Sequence, residues 1–150
     1  MKLSLDVSEL SNLESRAREA RYEILCQIAQ LHKASCIVTA HHQTDQSETI
    51  MMRWFSGSSL TGLAGMQVFS GDILRPFLSV SQDEILAYVH EYKIEWREDS
   101  TNGDDSYRRN WLRNLILPQI REKYPSLDSK MTGFAEYAQE VNQYLEVQVE

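Results

Sequence analysis

The order of apolar and polar positions divides the chain into alternating strands and helices. Residues 2–7 alternate with a period of two, which predicts a half-buried strand. A helix to about His32 follows, and the spacing of Ser11 and Glu14 predicts a capping box at its start. Its apolar residues recur at steps of three and four and predict a stripe that faces the core: Leu13, Ala17, Ala20, Ile24, Ile28 and Leu31.

The stretch 35–57 organises the rest of the chain. Residues 36–39 are short and β-branched, which predicts a buried strand, and a polar turn follows at 41–44. A helix is predicted from Asp45, and its apolar side is Ile50, Met51, Trp54 and Phe55. Strand, turn and helix in this order form half of a βαβ unit. Because ligands bind outside the carboxyl ends of strands in open α/β sheets, the candidate site lies at this turn and includes His41, His42, Asp45 and Glu48.

The middle of the chain contains a glycine-rich segment and a second helix. Residues 56–65 are predicted as a loop; they have neither the Walker spacing nor the dinucleotide fingerprint. Residues 72–75 precede a proline, which predicts a short extended piece. Ser81 and Glu84 form a second predicted capping box. The helix that follows has a predicted buried stripe of Ile85, Leu86, Val89 and Tyr92.

Two further helical patterns complete the chain after a polar stretch at 95–103 with a turn at Asn102. The first begins near Asp105, and Pro118 is expected to kink or end it. Its inward residues are predicted to be Trp111, Leu112, Leu115 and Ile116. The second, at 127–145, has a heptad-like seam that needs a partner, either another helix or a downstream domain. The seam consists of Leu127, Met131, Phe134, Ala138, Val141 and Leu145.

Composition narrows the class of protein. A chain of 150 residues with 42% apolar content predicts one domain, or one domain with an appendage. The net charge of −7 disfavours non-specific nucleic-acid binding, so any contact with RNA requires a local basic patch or parts of the protein outside this chain. Cys26 and Cys36 have no metal-ligand spacing and are interpreted as buried apolar residues. The chain has no signal peptide and no apolar run of ~18 residues, so we expect a soluble, cytoplasmic protein.

The two acids of the central stretch allow three interpretations. Asp45 and Glu48 lie three residues apart, so both carboxylates share one face at the start of the helix. They could form an ordinary capping box with Asp45 as the N-cap residue. They could instead accept an ammonium group from a ligand. With His42 they could also bind a metal ion, although this spacing is not a strong zinc pattern.

Two pairs of arginines are candidates for binding an anion. Arg18 and Arg21 lie one turn apart on the first helix. Spacing alone favours a surface ion pair between Arg18 and Glu14 over a cationic face toward an anionic ligand. Arg109 and Arg113 lie at i and i+4, where like charges repel. They could form a solvated face or a fork that binds a carboxylate or a phosphate.

The central motif, Thr39-Ala-His-His-x-x-Asp-Gln-x-Glu-Thr49, resembles the signature of tRNA(Ile)-lysidine synthetases. These enzymes belong to the PP-loop, or N-type ATP pyrophosphatase, superfamily. Further blocks resemble the same family in the same order. They are Leu13-Glu-Ser-Arg-Ala-Arg-Glu-Ala-Arg-Tyr22, Gly57-Ser-Ser-Leu-Thr-Gly-Leu-Ala-Gly-Met66, Leu74-Arg-Pro76, Trp96-Arg-Glu-Asp-Ser-Thr-Asn102 and Tyr107-Arg-Arg-Asn-Trp-Leu-Arg113 followed by Pro118.

The resemblance implies an α/β fold: a partial Rossmann-like, adenine nucleotide alpha-hydrolase-like parallel sheet with helices, followed by a helical region. Residues 1–78 would be the C-terminal part of the PP-loop ATPase domain, and 79–150 a helical extension with a connecting helix. The family's phosphate loop, Ser-Gly-Gly-x-Asp-Ser, and its C-terminal tRNA-binding domains are absent from this chain. We therefore expect a fragment, a truncated protein or one piece of a split protein, with little or no ligase activity alone.

The reaction implied by the resemblance is lysidine formation. The enzyme adenylates C2 of the wobble cytidine of tRNA(Ile), and the ε-amino group of L-lysine then displaces AMP. Asp45 and Glu48 would hold the lysine, and Arg113 or Arg109 would meet its carboxylate or a tRNA phosphate, with Arg113 preferred for lysine. The ATP side would include Arg18, Arg21, His41 and His42.

ATP and Mg²⁺ are the implied cofactors, and no residue is assigned as a metal ligand. Gly57 and Ser58 would support the loop around the substrate. No membrane contact is implied, and a homodimer is one possible assembly. Two other classes of function stay open at this point. One is a metal-dependent hydrolase that uses His42, Asp45 and Glu48; the other is a non-catalytic interaction module that docks through the seam at 127–145.

Overall fold

The computed structural model describes residues 7–97 and 103–149, with the side chains of the first helix described from Arg16 onward. Helices dominate this part of the chain, together with three short strands. In chain order the elements are α1 (Val7–Leu31), β1 (Ile37–Val38), α2 (Gln43–Phe55), α3 (Leu60–Leu63), β2 (Phe69–Ser70), β3 (Ile73–Leu74), α4 (Gln82–Glu91), α5 (Arg108–Trp111), a π-helical turn (Leu112–Ile116), α6 (Leu117–Lys123) and α7 (Leu127–Val149).

The strands form a small mixed sheet in the order β1-β3-β2. β1 pairs with β3 in parallel, with Ile37 opposite Ile73, and β2 pairs with β3 in an antiparallel hairpin. The structure is therefore α/β, as predicted, but the sheet is mixed where a parallel one was expected. The strand predicted at 36–39 is present in shorter form as β1, the extended piece predicted at 72–75 contains β3, and Phe69–Ser70 is a strand that the sequence pattern did not indicate. β1 is buried on one side only, because Val38 is exposed.

The first helix differs from its prediction at the N-terminal end. Val7 already belongs to α1, so the strand predicted at 2–7 does not include it, and residues 2–6 lie outside the described part. Because α1 begins four residues before Ser11, the predicted capping box of Ser11 and Glu14 does not start it. Serine and glutamate are both tolerated inside a helix, so their spacing alone does not locate an end. The C-terminal end at Leu31 agrees with the prediction.

The apolar stripe of α1 does not face a core. Ile24, Ile28 and Leu31 are 56%, 49% and 78% exposed, and Ala17 and Ala20 are also exposed. On α2, Trp54 and Phe55 are likewise exposed, contrary to the prediction. Three strands of two residues offer too little surface to cover these faces. Helical periodicity indicates which face is apolar, but not whether a partner covers it.

The core lies where α7 packs along α2 and α3. Ile50 of α2 and Ala135 and Ala138 of α7 have no exposed surface, and small side chains on α7 allow the two helices to approach closely. Helix α7 therefore has a helical partner within the same chain, although Ala138 is the one fully buried member of the seam predicted at 127–145, and Leu127, Met131, Phe134 and Val141 are half-buried. The last member of the seam, Leu145, is exposed. The face of α2 that is buried is mostly polar, and it holds Thr44, Gln46, Ser47 and Glu48.

The helical stretch predicted from Asp105 begins at Arg108 and contains a π-helical turn. Pro118 does not end the helix, because α6 continues beyond it to Lys123 with Pro118 in its first turn. A π turn contains an extra residue and rotates the faces on either side of it. Consequently Leu112 is buried, whereas Trp111 and Leu115, also predicted to point inward, are 42% and 44% exposed.

Helix α4 begins at the predicted capping box. The Ser81 backbone N–H donates to Glu84 Oε2 at 2.9 Å, and the Glu84 backbone N–H donates to Ser81 Oγ at 3.2 Å. The predicted stripe of α4 is only half-buried at Ile85, Leu86 and Val89 and exposed at Tyr92. Both cysteines are free thiols that are half-buried, so they are less enclosed than predicted. The polar stretch 95–103 lies largely outside the described residues.

Candidate active site

The polar turn after β1 leads directly into α2. His42 is the N-cap residue, with extended backbone, and the helix begins at Gln43. Asp45 is therefore not the N-cap residue; it occupies the third helical position, where its Oδ2 accepts the His42 backbone N–H at 3.0 Å. The cap of α2 thus uses one carboxylate oxygen of Asp45 and neither oxygen of Glu48. Because Asp45 and Glu48 lie three residues apart on α2, their side chains share one face, one turn apart, beyond the carboxyl end of β1.

Two arginines from the far end of the chain bind both acids. Arg113 donates from Nε to Glu48 Oε1 at 2.6 Å and from Nη2 to Oε2 at 2.8 Å, while Arg109 Nε donates to Oε2 at 2.8 Å. Asp45 Oδ1 accepts from Arg109 Nη2 at 3.1 Å and from Arg113 Nη2 at 3.0 Å. We call Asp45, Glu48, Arg109 and Arg113 the ion cluster. Its two carboxylates balance its two guanidinium groups.

Burial is distributed unevenly within the ion cluster. The Glu48 side chain is 0% exposed, whereas those of Asp45, Arg109 and Arg113 are 13%, 27% and 33% exposed. The pKa of Arg113 is raised, mainly by its hydrogen bond with Glu48, although burial acts in the opposite direction. A ligand that approaches the cluster therefore meets the two arginines and Asp45, with Glu48 behind them.

The sequence identified all four residues of the ion cluster but not their mutual pairing. Arg109 and Arg113 were expected to repel each other or to wait for a ligand anion. In the structure the two acids keep these like charges side by side. The sequence did contain a hint of this pairing, because two acids three residues apart on one helix and two arginines four residues apart on another can form hydrogen-bonded ion pairs with each other. Spacing alone could not show that segments more than 60 residues apart would meet.

The two histidines have different surroundings. His41 Nδ1 lies 2.9 Å from Thr39 Oγ1. Burial lowers the pKa of His41; the Asp45 charge opposes this shift, and the charges of nearby arginines, Arg75 foremost, add to it. His42 Nε2 lies 3.5 Å from Asp45 Oδ2, so His42 borders the ion cluster.

We expect stability to fall on mild acidification because of His41. The unfolded chain takes up a proton near the ordinary value of 6.5, whereas the folded chain resists protonation until lower pH. Hence the contribution of His41 to the free energy of unfolding is constant above that value and decreases as pH falls below it. Urea unfolding between pH 7.5 and 5.5 should show a smaller decrease for His41→Gln than for wild type. His32→Gln, at an exposed histidine just after α1, serves as control; an unchanged slope in His41→Gln would contradict the assignment.

The glycine-rich segment is tied to α2 by side-chain hydrogen bonds to its backbone. Gln46 donates from Nε2 to the Met66 carbonyl at 2.9 Å and accepts the Met66 N–H at 2.8 Å. Arg53 Nη1 donates to the carbonyls of Gly62 and Gly65 at 2.7 and 2.9 Å. Gln139 of α7 donates to the Ala64 carbonyl at 2.7 Å. Sequence reasoning did not identify Gln46, Arg53 or Gln139, because hydrogen bonds from a side chain to the backbone of a distant segment leave no local sequence pattern.

The segment predicted as a loop at 56–65 contains the one-turn helix α3. Ser59 is its N-cap residue and accepts from the Gly62 N–H at 3.5 Å. Gly57 has φ of +73°, which permits the turn that leaves α2. Backbone carbonyls of this segment face Arg53, so that side of the segment accepts hydrogen bonds. It therefore does not offer backbone N–H groups to an anion on that side.

Arginines also line a cleft beside this segment. Arg18 of α1, Arg53 of α2 and Arg75 after β3 border a space of about 840 Å³ whose opposite wall is α7. Arg75 is only 7% exposed, and its Nη1 donates to the Gln67 carbonyl at 2.9 Å. We call this space the arginine cleft. Arg21 is exposed and is not among the residues that line it.

The geometry does not suit the metal site considered from sequence. Across residues 7–97 and 103–149 there is no group of three or more His, Cys, Asp or Glu that could hold a metal ion. Guanidinium groups already bond to both oxygens of Glu48 and to one oxygen of Asp45, so the two acids have too few free oxygens to coordinate a metal ion. A hydrolytic metal centre of His42, Asp45 and Glu48 is therefore disfavoured.

No helix in the described part of the chain is long and apolar enough to cross a membrane.

The sequence pattern of the PP-loop domain matches residues 1–120, so the chain belongs to the PP-loop domain family. Several curated relatives are named tRNA(Ile)-lysidine synthase. The relative from Bacillus subtilis (strain 168) is 37% identical across 90% of this chain and 29% of its own length. Those from Hydrogenovibrio crunogenus and Deinococcus deserti are also 37% identical, across 95% and 89% of this chain and 35% and 25% of their own lengths.

These comparisons confirm the resemblance found in the motifs. The family implies a Rossmann-like fold, of which the described residues contain three strands. The chain spans between 25% and 35% of the length of these three relatives. The division into two parts at residue 78 and the roles of individual site residues stay predictions.

Proposed function

We propose that this chain carries part of the active site of an ATP-dependent ligase that forms lysidine in tRNA(Ile). The observation that carries the proposal is the 37% identity, over 90% of the chain, to a protein named tRNA(Ile)-lysidine synthase. The ion cluster supports it, since it joins the central motif to the motif at 107–113. The substrates would be ATP, L-lysine and tRNA(Ile), and the proposed location is the cytoplasm.

The proposed reaction has two steps. In the first, the O2 oxygen of the wobble cytidine attacks the α-phosphorus of ATP, so that an O–P bond forms and pyrophosphate leaves. In the second, the neutral ε-amino nitrogen of lysine attacks C2, the C2–O bond breaks and AMP leaves, while the amine releases its proton. Neither step needs a protein nucleophile, so catalysis rests on positioning and on stabilising charge.

Asp45 and Glu48 would contribute differently to lysine binding. Glu48 is fully buried with both oxygens bonded to arginine, which makes it a positioning residue for Arg109 and Arg113. Asp45 is the partly exposed acid, and three donors already use its two oxygens: His42, Arg109 and Arg113. A carboxylate has about four acceptor positions, so Asp45 can accept one more hydrogen bond, from the α-ammonium group of lysine, which leaves the ε-amino group free to react.

The arginines of the ion cluster would meet the negative groups of the substrates. Arg113, the most exposed member of the cluster, is assigned to the lysine carboxylate, and Arg109 to the same group or to a tRNA phosphate. On the ATP side, Arg18 fits an anionic ligand because it lines the arginine cleft. The resemblance also places Arg21, His41 and His42 on that side. Mg²⁺ would arrive with the phosphates of ATP.

A chimera tests the proposal in a complete protein. The matching segment of the Bacillus subtilis relative is replaced by this chain, and incorporation of radiolabelled lysine into a tRNA(Ile) transcript is measured. We expect incorporation with the chimera and a loss of about 100-fold with Asp45→Asn, which removes the charge facing the ammonium group. The change Asp83→Asn, at an exposed position of α4, should leave the rate unchanged.

Two results would contradict the proposal. The first is a folded chimera that transfers no lysine although the parent enzyme does. The second is full activity in the Asp45→Asn chimera, which would remove Asp45 from lysine binding. The isolated 150-residue chain should show no ATP–pyrophosphate exchange.

A further inference from the structure

A second pair of oppositely charged side chains joins the two helices that follow the ion cluster. Arg121 of α6 donates from Nε to Asp128 Oδ2 at 2.7 Å and from Nη2 to Asp128 Oδ1 at 2.9 Å. Two parallel hydrogen bonds of this kind fix the orientation of both groups. The side chains of Arg121 and Asp128 are only 26% and 18% exposed, so this pair is more enclosed than an ordinary surface ion pair.

Asp128 also acts on the start of α2. It lies in the first turn of α7, the helix that packs along α2. Burial acts to raise the pKa of Asp128, but hydrogen bonds from Arg121 and Ser47 act against it, and the pKa lies below its ordinary value. The charge of His42 contributes in the same direction. Ser47 is fully buried and directly precedes Glu48, so Asp128 interacts with the turn of α2 that carries the ion cluster.

The helical stretch 108–123 connects the ion cluster with this second pair, and we call it the arm. It consists of α5, the π-helical turn and α6. Arg109 and Arg113 bind its first half to α2 directly, and Arg121 binds its last turn to Asp128. Eight residues separate Arg113 from Arg121, which is about 12 Å along a helix. A helix held at one point can pivot, whereas a helix held at two separated points has a fixed direction.

The direction of the arm decides where Arg113 can meet a ligand. Its hydrogen bonds with the two acids of the ion cluster use Nε and Nη2, so Nη1 is the nitrogen left for the lysine carboxylate. The donors of a guanidinium group have a rigid, planar arrangement. If the arm pivots, the bonds between Arg113 and Glu48 tilt with it, and Nη1 spends less time in the position that the carboxylate requires.

We propose that Asp128, held by Arg121, is a positioning residue for Arg113. Asp128 anchors the far end of the arm to α2, and this second anchor keeps Nη1 of Arg113 directed toward the lysine carboxylate. The effect on lysine rests on the proposed function, whereas the effect on the position of Arg113 does not. An ion pair that merely joined α6 to α7 would need no contact with Ser47 and would have no effect at Arg113.

The Nε–H signal of Arg113 tests the positioning in the whole 150-residue chain without any reaction. Arginine Nε–H groups are observed in two-dimensional ¹H–¹⁵N NMR spectra, and Arg113→Lys identifies the signal by its disappearance. We expect Asp128→Asn to shift or broaden this signal, because the arm loses its second anchor. An unchanged Arg113 signal in Asp128→Asn would overturn the proposal.

Gly71→Ala is the control for a general loss of stability. Gly71 has φ of +57° and open space around it, so alanine strains the backbone there without a clash. It lies in the turn before β3, at the end of the sheet away from the ion cluster. The Arg113 signal of Gly71→Ala should therefore keep its wild-type position. A shift equal to that of Asp128→Asn would show that Asp128 acts only through stability, which contradicts the proposal.

Ser47→Ala separates the contact with α2 from the ion pair with Arg121. Alanine has nearly the size of serine and leaves the two bonds between Arg121 and Asp128 in place. The Arg113 signal should shift in the same direction as in Asp128→Asn, by a smaller amount. In the double variant, Ser47→Ala should add little, since both changes break one contact. Fully additive shifts would show that Asp128 does not anchor the arm through Ser47.

Steady-state kinetics of the chimera test the consequence for lysine. Asp128→Asn should raise KM for L-lysine about tenfold and leave kcat within about twofold, because the weakened contact is made equally in the ground and transition states. Arg121→Lys keeps the charge but cannot form two parallel bonds, so KM should rise about threefold. Gly71→Ala should keep the wild-type KM.

Two kinetic results would contradict the role in lysine binding. One is a fall in kcat at unchanged KM in Asp128→Asn, and the other is an equal rise in KM in Gly71→Ala. A folded chimera that transfers no lysine contradicts the proposed function instead. In that case the Arg113 signal of the 150-residue chain still decides whether Asp128 positions Arg113.

Discussion

Replacing Glu48 with glutamine is expected to lower the free energy of unfolding by about 3 kcal/mol. The glutamine has nearly the same shape but no charge, so Arg109 and Arg113 lose the acid that binds both of them. Asp45 then remains as the sole acid for two partly buried guanidinium groups. Breaking a buried ion pair from one side costs more than the pair itself contributes, because the remaining charge stays desolvated.

Urea unfolding followed by circular dichroism measures this loss. Glu122→Gln is the matched control, since Glu122 pairs with Lys123 at the surface with both side chains more than 70% exposed. That change should stay within about 0.5 kcal/mol of wild type. A loss below about 1 kcal/mol for Glu48→Gln would mean that the ion cluster does not hold α5 against α2.

Replacing Gly65 with alanine should destabilise the protein by about 3 kcal/mol, for two separable reasons. Gly65 has φ of +66°, which disfavours any side chain. An added Cβ would also lie 2.8 Å from the Gln46 amide, which is already bonded to Met66 and cannot move freely. The change therefore strains the backbone and breaks the contact that ties the glycine-rich segment to α2.

Gly57 isolates the first of these two effects. Its φ of +73° is similar, but an added Cβ meets nothing within 4 Å. Gly57→Ala should therefore cost only the backbone strain, about 1 kcal/mol. Both variants are compared by urea unfolding under the same conditions. Equal losses would show that the Gln46 amide yields to the methyl group at no cost.

Local rules predicted the features that depend on neighbouring residues. The capping box at Ser81, the strand positions near Ile37 and Ile73, and the helix after His42 all follow from short-range pattern and are present. The resemblance identified the family from motifs, and a match over residues 1–120 confirms it.

The features that the sequence did not predict depend on contacts between residues far apart in the chain. The apolar stripe with Ile24 was predicted to be buried because its spacing is helical, yet whether it is covered depends on the extent of the sheet. Arg109 and Arg113 were expected to form either a solvated face or a fork for a ligand anion, because the spacing rule for like charges does not include an acid from a distant helix. The contact of Gln46 with Met66 has no local signature at all.

The π-helical turn separates two faces that a regular helix would keep in phase. In an α-helix, Leu117 would project almost directly above Arg113, one turn earlier. The additional residue of the π turn shifts the downstream surface by about a quarter of a rotation. Leu117 can therefore be completely buried while Arg113 reaches Glu48. A structural alignment that treats 108–123 as one regular α-helix would place one of these two surfaces on the wrong side. When segments are exchanged between relatives, the junctions should therefore lie outside 112–116.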